Sequence, residues 1–130
     1  MEALEPKIVS YIMWKLGCVH PYYVSRALLL AEWISEERSG RKLTSFTYRC
    51  QPYGFYIEEL DQVIRKLEEE KCARRNQGRK CIEYLCGEPE VPDHIKAILD
   101  EVLEKIKGLS QVELNRLVIH DPRYKKMLEG

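Results

Sequence analysis

Hydrophobic residues recur along most of the chain at intervals of three and four positions, which is the spacing of an amphipathic α-helix. This spacing predicts helices at about residues 6–16, 21–39, 56–70 and 93–107, then a helix opened by Ser110 and a final turn or two at 123–128. Ser110 and Glu113 match the S-x-x-E capping-box pattern. Residues 21–39 are apolar around much of the helix circumference, so we expect this helix to be central and buried.

Two segments depart from helical spacing. Residues 43–50 alternate briefly, which predicts a short extended or single-turn element. As a strand, it would place one set of side chains on one face and a second set on the other: Leu43, Ser45, Thr47 and Arg49 against Phe46 and Tyr48. Residues 72–75 and 79–86 flank an Asn-Gln-Gly turn, where Gly78 can supply the positive φ of a tight hairpin. We expect a two-stranded β-ribbon there.

The predicted fold class is mainly α with a small β-ribbon. At 130 residues, with 45% of them hydrophobic, the chain has the size and apolar content of one domain. Two helices, a short extended piece, an amphipathic helix and a ribbon follow each other in the winged-helix order. We therefore interpret residues 1–130 as a single domain, with a winged-helix-like core at about 6–86 and a C-terminal helical extension at about 93–128.

Charge limits how the chain could bind nucleic acid. Its 21 basic and 21 acidic residues cancel, so it lacks the overall positive field typical of nucleic-acid binders. The predicted helix before the ribbon is acidic and would be repelled in a major groove. The ribbon is basic, and its candidate nucleic-acid contacts are Lys71, Arg74, Arg75, Arg79 and Lys80. The alternative is that these charges solvate an exposed turn or pair with the acidic helix.

The chain contains no apolar run near the roughly 18 residues that a membrane span needs, and no signal-peptide pattern at its start. We expect a cytoplasmic protein without a membrane partner. Charged residues make up 32% of the chain with both signs interspersed, which is common in soluble proteins and a weaker indication of a thermophile.

The five cysteines are expected to be reduced thiols in a cytoplasm, although hyperthermophiles are an exception. On a strand, Cys81 and Cys86 would point to opposite faces, which argues against a shared zinc ion. Cys72 and Cys81 could approach each other across the ribbon. Reduced thiols, a disulfide and a metal site all stay open, with reduced thiols favoured; we assign no metal and no cofactor.

No residue pattern indicates catalysis. The histidines His20, His94 and His120 lack the spacing of metal ligands or of a proton shuttle, and His20 and His120 stand beside helix boundaries, where capping or exposure is expected. Glycine-rich phosphate loops and activated-serine motifs are missing from the sequence. We expect that the protein is not an enzyme.

Several motifs together resemble the Panacea, or SocA-like, antitoxin domain over roughly residues 8–128. They are VSRALLLAEW, GRKLT at 40–44, Tyr53-Gly54-Phe55, IEELDQVIRKLEEE and ELNRLVIHDPRYKKML. The chain departs from the family in placing Phe55 where proline is usual, and Arg26 with leucines where a Lys- and Tyr-rich signature is usual.

The resemblance implies a mainly helical, winged-helix-like fold without catalytic residues that acts by holding a partner protein or takes part in regulation. By this resemblance, Tyr53, Gly54, Phe55 and Tyr56 are the candidate partner contacts. The alternative is that Phe55 and Tyr56 fix the loop to the core.

Two functional hypotheses follow. The first is a non-enzymatic protein-interaction or regulatory module of antitoxin type, whose partner is a protein such as a toxin. The second is a DNA-binding transcriptional regulator that contacts phosphates through its basic ribbon. A homodimer would suit the second hypothesis, because symmetric dimers create paired DNA contacts.

Overall fold

The computed structural model describes residues 3–130 as six helices and two β-hairpins. The helices are α1 Glu5–Leu16, α2 Pro21–Ser39, α3 Leu60–Glu69, α4 Asp93–Ile106, α5 Gln111–Ile119 and α6 Pro122–Glu129. The strands are β1 Tyr48–Gln51, β2 Gly54–Ile57, β3 Ala73–Asn76 and β4 Cys81–Tyr84. The predicted class, mainly α with a small β-ribbon, is confirmed. None of the described helices combines the length and apolarity needed to cross a membrane.

Helix α2 forms the centre of the core, as its broad apolar surface predicts. Val24, Ala27, Leu28 and Ala31 are completely buried. Helices α1, α4 and α5 all pack against α2. The C-terminal helices therefore share one hydrophobic core with the N-terminal ones.

Local capping sets the ends of several helices. The His20 Nδ1 atom accepts a hydrogen bond of 3.0 Å from the backbone N–H of Tyr22 and caps α2. Gly40 ends the same helix in the left-handed conformation, with φ 69°. The capping box at Ser110 and Glu113 forms in both directions, so this prediction is confirmed.

The helix predicted at 56–70 begins too early, because its first residues belong to the first hairpin. Residues 54–57 form strand β2, and α3 begins only at Leu60. Phe55 and Ile57 point inward while Tyr56 is exposed, which is the two-residue alternation of a strand. Ile57 and Leu60 are three positions apart, so Ile57 fits helical spacing as well, and this ambiguity caused the error.

Residues 43–47 do not form the alternating strand considered for 43–50. A strand would place Leu43 and Phe46 on opposite faces, yet both are buried. The backbone N–H groups of Leu43 and Thr44 donate to the buried carboxylate of Glu32, which binds this segment to α2 as an irregular loop. Regular strand pairing starts at Tyr48.

The second hairpin is the predicted β-ribbon, with Ala73 opposite Tyr84 and Asn76 opposite Cys81. The prediction for its turn is wrong: Lys80, not Gly78, has the positive φ, at 54°. The turn takes four residues, and the side-chain oxygen of Asn76 accepts the Arg79 N–H at 3.1 Å.

A backbone bridge joins the ribbon to the connection between α1 and α2. The Val19 N–H donates to the Ile82 carbonyl at 3.1 Å, and the Ile82 N–H donates back at 2.8 Å. Strand β4 therefore lies between β3 and Val19, and the ribbon is fixed to the core along this edge.

Candidate functional site

The β1–β2 hairpin divides the four predicted partner contacts into two pairs. Tyr53 is 73% exposed and Tyr56 is 57% exposed, whereas Gly54 and Phe55 are buried. The Phe55 ring lies 6.3 Å from the ring of Tyr124, measured between centroids. Phe55 thus fixes the hairpin to the core, and the two tyrosines are the members available to a partner.

Arg26 of α2 contacts the hairpin on its buried side. Its side chain is buried, and its Nη1 atom donates to the Phe55 carbonyl at 3.1 Å while Nη2 donates to Asn115 Oδ1 at 3.1 Å. The guanidinium carbon lies 3.7 Å from the Tyr22 ring centroid and 4.3 Å from that of Phe55. Burial lowers the pKa of Arg26. Neutral acceptors and two aromatic faces, rather than a carboxylate, compensate this buried charge.

Gly54 leaves room for the close approach of Arg26. A Cβ atom at Gly54 would lie 3.2 Å from Arg26 Nη2 and 3.6 Å from Asn115 Oδ1. The Tyr124 hydroxyl lies 2.7 Å from the Gly54 carbonyl oxygen, and Asn115 Nδ2 donates to the Tyr53 carbonyl at 2.9 Å. A Cβ atom at Gly54 would require Arg26 Nη2 to move by a few tenths of an ångström, whereas Asn115 would stay at an ordinary contact distance.

The turn itself depends on these bonds. Two-residue hairpin turns favour positive φ at their central positions, because other turn types splay the strands. Lys71 and Lys80 are the non-glycine residues with positive φ in the described part of the chain, so Pro52 and Tyr53 do not adopt this conformation. Hydrogen bonds from α5 and α6 compensate for the unfavourable turn.

Glu32 holds the chain that leads into the hairpin. Its carboxylate is buried, and it accepts hydrogen bonds from the N–H groups of Leu43 and Thr44 and, at 2.7 Å, from the Thr44 hydroxyl. The Tyr48 hydroxyl also donates to it at 3.1 Å. Burial and the nearby charge of Glu32 raise the pKa of Tyr48. The carboxylate therefore has a full set of donors.

Glu59, which follows β2, likewise accepts hydrogen bonds from the segment that precedes β1. It accepts hydrogen bonds from the backbone N–H and the hydroxyl of Thr47, both at 2.8 Å. Burial acts to raise the pKa of the Glu59 carboxyl, but the hydrogen bonds from Thr47 outweigh it and the pKa lies below its usual range. Glu59 thus binds the base of the hairpin most strongly when ionised.

The basic ribbon keeps only part of its predicted charge free. Arg74 pairs with Glu83 at 3.2 Å, and Arg75 pairs with both Asp61 and Glu68 of α3 at 3.1 Å. For Arg75, the alternative of pairing with the acidic helix is what the structure shows. Within residues 3–130, three of the predicted contacts make no ion pair: Lys71, Arg79 and Lys80.

Four of the five cysteines form disulfides, contrary to the favoured expectation of reduced thiols. Cys18 pairs with Cys81 and Cys72 pairs with Cys86, with Cα atoms 5.3 and 5.1 Å apart; Cys50 is free. The suggested approach of Cys72 to Cys81 is wrong, because they lie at opposite ends of the ribbon. Cys72 precedes β3 at the base, whereas Cys81 begins β4 beside the turn.

Comparisons with protein-family models, curated proteins and solved structures give no match to this chain. In residues 3–130, no three His, Cys, Asp or Glu side chains form a group that could hold a metal ion. The function must therefore be argued from the two hairpins.

The sequence did not indicate Arg26, Asn115 and Tyr124 as parts of the site. The available signal was the charge of Arg26 within the apolar run of α2, since a charged residue on a buried surface needs nearby partners.

Proposed function

We propose that the chain is a non-enzymatic protein-interaction module that binds a protein partner through Tyr53 and Tyr56. One observation carries the proposal: two tyrosines, 73% and 57% exposed, project from a hairpin whose backbone accepts hydrogen bonds from the buried Arg26 and from Asn115. Exposed aromatic side chains are common anchors of interfaces. A backbone that is already ordered loses little entropy on binding, which favours affinity.

The resemblance to the Panacea antitoxin domain supports the same surface. The Tyr53-Gly54-Phe55 segment that contributes to this resemblance forms the turn and the start of β2. The partner class that we propose on this basis is a toxin encoded beside the chain's own gene.

The surroundings of the two tyrosines define the chemistry of the partner surface. Arg49 lies opposite Tyr56 in the strand register, and its charge is neutralised by Glu58. The hairpin surface is thus aromatic at its centre with a paired, polar edge. A complementary partner has an apolar pocket with a polar rim, as in many protein interfaces.

The test is calorimetry of the chain with the purified product of the adjacent gene. We expect the double variant Tyr53→Ser and Tyr56→Ser to weaken binding at least about tenfold, because exposed anchor residues contribute most of the binding energy. The matched control is Trp14→Ser with Leu85→Ser, which removes exposed apolar side chains elsewhere. Equal losses in both variants, or no effect of the hairpin variant, would contradict the proposal.

DNA binding is the second candidate, favoured by the topology. The ribbon follows α3 and also pairs with the segment between α1 and α2, an arrangement expected of a winged helix, and Lys71, Arg79 and Lys80 are free of ion pairs within residues 3–130. The acidic α3 opposes insertion into a major groove, so the contacts proposed are to phosphates.

Mobility shifts on the gene's upstream DNA at two salt concentrations test this candidate. The variant Arg79→Ala with Lys80→Ala should abolish the shift, while Arg41→Ala with Lys42→Ala, an equal change of charge elsewhere, should retain it. A shift that survives the ribbon variant would refute the ribbon as the contact.

The proposal includes a cytoplasmic location. The disulfides bear on the class of organism in whose cytoplasm the protein would fold. Structural disulfides are rare in mesophile cytoplasm but frequent in that of hyperthermophiles. The pairs Cys18–Cys81 and Cys72–Cys86, together with the high content of charged residues, support a hyperthermophilic host.

A further inference from the structure

A groove of about 1060 Å³ lies on the side of the ribbon that faces α4. It is lined by the ribbon turn, the end of α1, the α1–α2 connection and the C-terminal half of α4. Ligand pockets usually measure about 300–1,000 Å³, so the groove has room for a small organic ligand. Neither Tyr53 nor Tyr56 lines it, which separates it from the surface proposed above.

The groove concentrates positive charge in a chain whose total charge is zero. Four cationic side chains line it: Lys15, Arg79, Lys80 and Lys107. Lys15 is partly neutralised, since its Nζ atom lies 3.9 Å from Asp100. Across residues 3–130, the other three form no ion pair, so they are available to a bound anion.

The two carboxylates of the groove differ in whether neighbouring groups of the protein compensate their charge. Asp100 accepts a hydrogen bond from the buried Tyr11 hydroxyl and faces Lys15, so its charge is compensated within the protein. Glu104 has no such partner among residues 3–130 and is exposed on α4. It can accept a hydrogen bond from a hydroxyl or amino group of a ligand.

An apolar and aromatic part of the lining adjoins the charges. Leu103, Leu109 and Tyr23 all line the groove. The Tyr23 hydroxyl donates to the Leu109 carbonyl at 3.2 Å, which holds the ring in one position. A ligand that fits both parts has a polyanionic end and a flat, largely apolar body.

Covalent and backbone constraints fix the part of the ribbon backbone that carries Arg79 and Lys80. Cys81 follows Lys80 directly and is joined by a disulfide to Cys18, which also lines the groove. Lys80 has φ 54°, a conformation fixed by the turn. The backbone positions that carry Arg79 and Lys80 are therefore set before a ligand arrives, which reduces the entropy lost on binding.

From this arrangement we propose that the groove binds a nucleotide. Its phosphates contact Arg79, Lys80 and Lys107, and its base lies against Tyr23 and the neighbouring leucines. This inference goes beyond the protein-interaction function and depends on none of the residues that carry it.

Isothermal titration calorimetry with ATP on the full chain, at low salt, tests the inference. Arg79→Ala with Lys80→Ala should weaken ATP binding at least about tenfold, because two phosphate contacts are lost. The control Arg41→Ala with Lys42→Ala removes the same charge from exposed positions outside the groove and should change the affinity less than about twofold. Equal losses in the two variants, or no measurable ATP binding to the wild type, would overturn the inference.

Further probes separate a nucleotide site from a general anion site. Inorganic triphosphate should bind more weakly than ATP, and adenosine should not bind measurably, because each lacks one half of the ligand. Triphosphate binding as tight as ATP binding would refute the base contact. Duplex DNA binding through Arg79 and Lys80 more tightly than ATP would assign the groove to the DNA-binding candidate and overturn the nucleotide proposal.

The protein-interaction proposal and the nucleotide proposal can be refuted independently of each other. The variant Tyr53→Ser with Tyr56→Ser should bind ATP like the wild type, because neither residue lines the groove. Loss of ATP binding in that variant would contradict the independence of the two sites.

Discussion

The two β-hairpins have strands of equal length but are stabilised in opposite ways. Polar side chains hold β1–β2: Arg26, Asn115 and Tyr124 from the helices, and Glu59 from the segment before α3. Two disulfides and a backbone bridge hold β3–β4. One hairpin thus depends on hydrogen bonds that exist only in the folded core, and the other depends on covalent links.

Because of this difference, we expect different treatments to destabilise the two hairpins. Buried hydrogen-bonded groups are costly to leave unpaired, so β1–β2 should respond to changes of single side chains and of pH. A disulfide acts mainly by restricting the unfolded chain, so β3–β4 should respond to reduction. The aromatic surface is on the first hairpin, whereas Arg79 and Lys80 lie in the turn of the second, and therefore the two proposed functions can be disabled separately.

The largest effect is expected from removing the disulfide that links the most distant positions in the sequence, Cys18 and Cys81. Cys18 and Cys81 are 63 positions apart, and a loop of this length predicts a loss of about 4 kcal/mol in the free energy of unfolding. Urea denaturation of Cys18→Ser with Cys81→Ser measures this loss. Hydrogen exchange should accelerate in β3–β4 more than in β1–β2.

Cys50→Ser is the control, because Cys50 is the free cysteine, and its effect should stay below about 1 kcal/mol. Thiol titration of denatured, unreduced protein should detect one thiol per chain, rising to five after reduction. Five thiols before reduction would contradict both disulfides.

The second effect concerns the buried arginine of the polar hairpin. Arg26→Met keeps an apolar stem but leaves the Phe55 carbonyl and Asn115 Oδ1 without their donor. We expect a loss of about 2–3 kcal/mol, with faster hydrogen exchange in β1–β2 and little change in β3–β4. Chemical denaturation and exchange together measure it.

Arg65→Met is the matched control, since Arg65 is exposed and forms an ion pair within α3. It should cost less than about 0.5 kcal/mol. A more stable Arg26→Met protein would show that the buried charge opposes folding, as some buried ionic groups do.

The sequence predicted elements whose signals are local. Pro21 and Gly40 mark the ends of α2, and Ser110 with Glu113 marks the start of α5; each depends on neighbours within one helical turn. Strand β2 was missed because Ile57 fits the helical period and the strand period, and only pairing with β1 decides between them.

The site was predictable only in part, for the same reason. The exposure of Tyr53 at a Pro-Gly turn follows from local sequence. The contact from Arg26 to Asn115 joins positions 89 residues apart, and no pattern in the sequence relates them. The cysteine pairing likewise depends on the tertiary approach of Cys18 to the ribbon, which the spacing of the cysteines does not encode.

The third effect is a pH dependence expected in the first hairpin. The pKa of Glu59 is lower in the folded than in the unfolded protein, so its contribution is complete above the unfolded value, about 4.3, and is lost as pH falls through the folded pKa. Glu59→Gln should cost about 1 kcal/mol or less at neutral pH and nothing at pH values below the folded pKa. Unfolding curves of both proteins between neutral and acidic pH measure this, and a cost independent of pH would contradict it.

The smallest effect is expected from the surface ion pairs that join the second hairpin to α3. Arg75 bridges Asp61 and Glu68 on the surface, and its pKa is raised by the hydrogen bond with Glu68. Surface ion pairs contribute little, so Arg75→Ala should lower the free energy of unfolding by about 0.5 kcal/mol, and less at high salt. Thermal unfolding at two salt concentrations measures the change. A loss as large as that of Arg26→Met would mean that charge, and not the disulfides, holds the ribbon, and the contrast between the hairpins would fail.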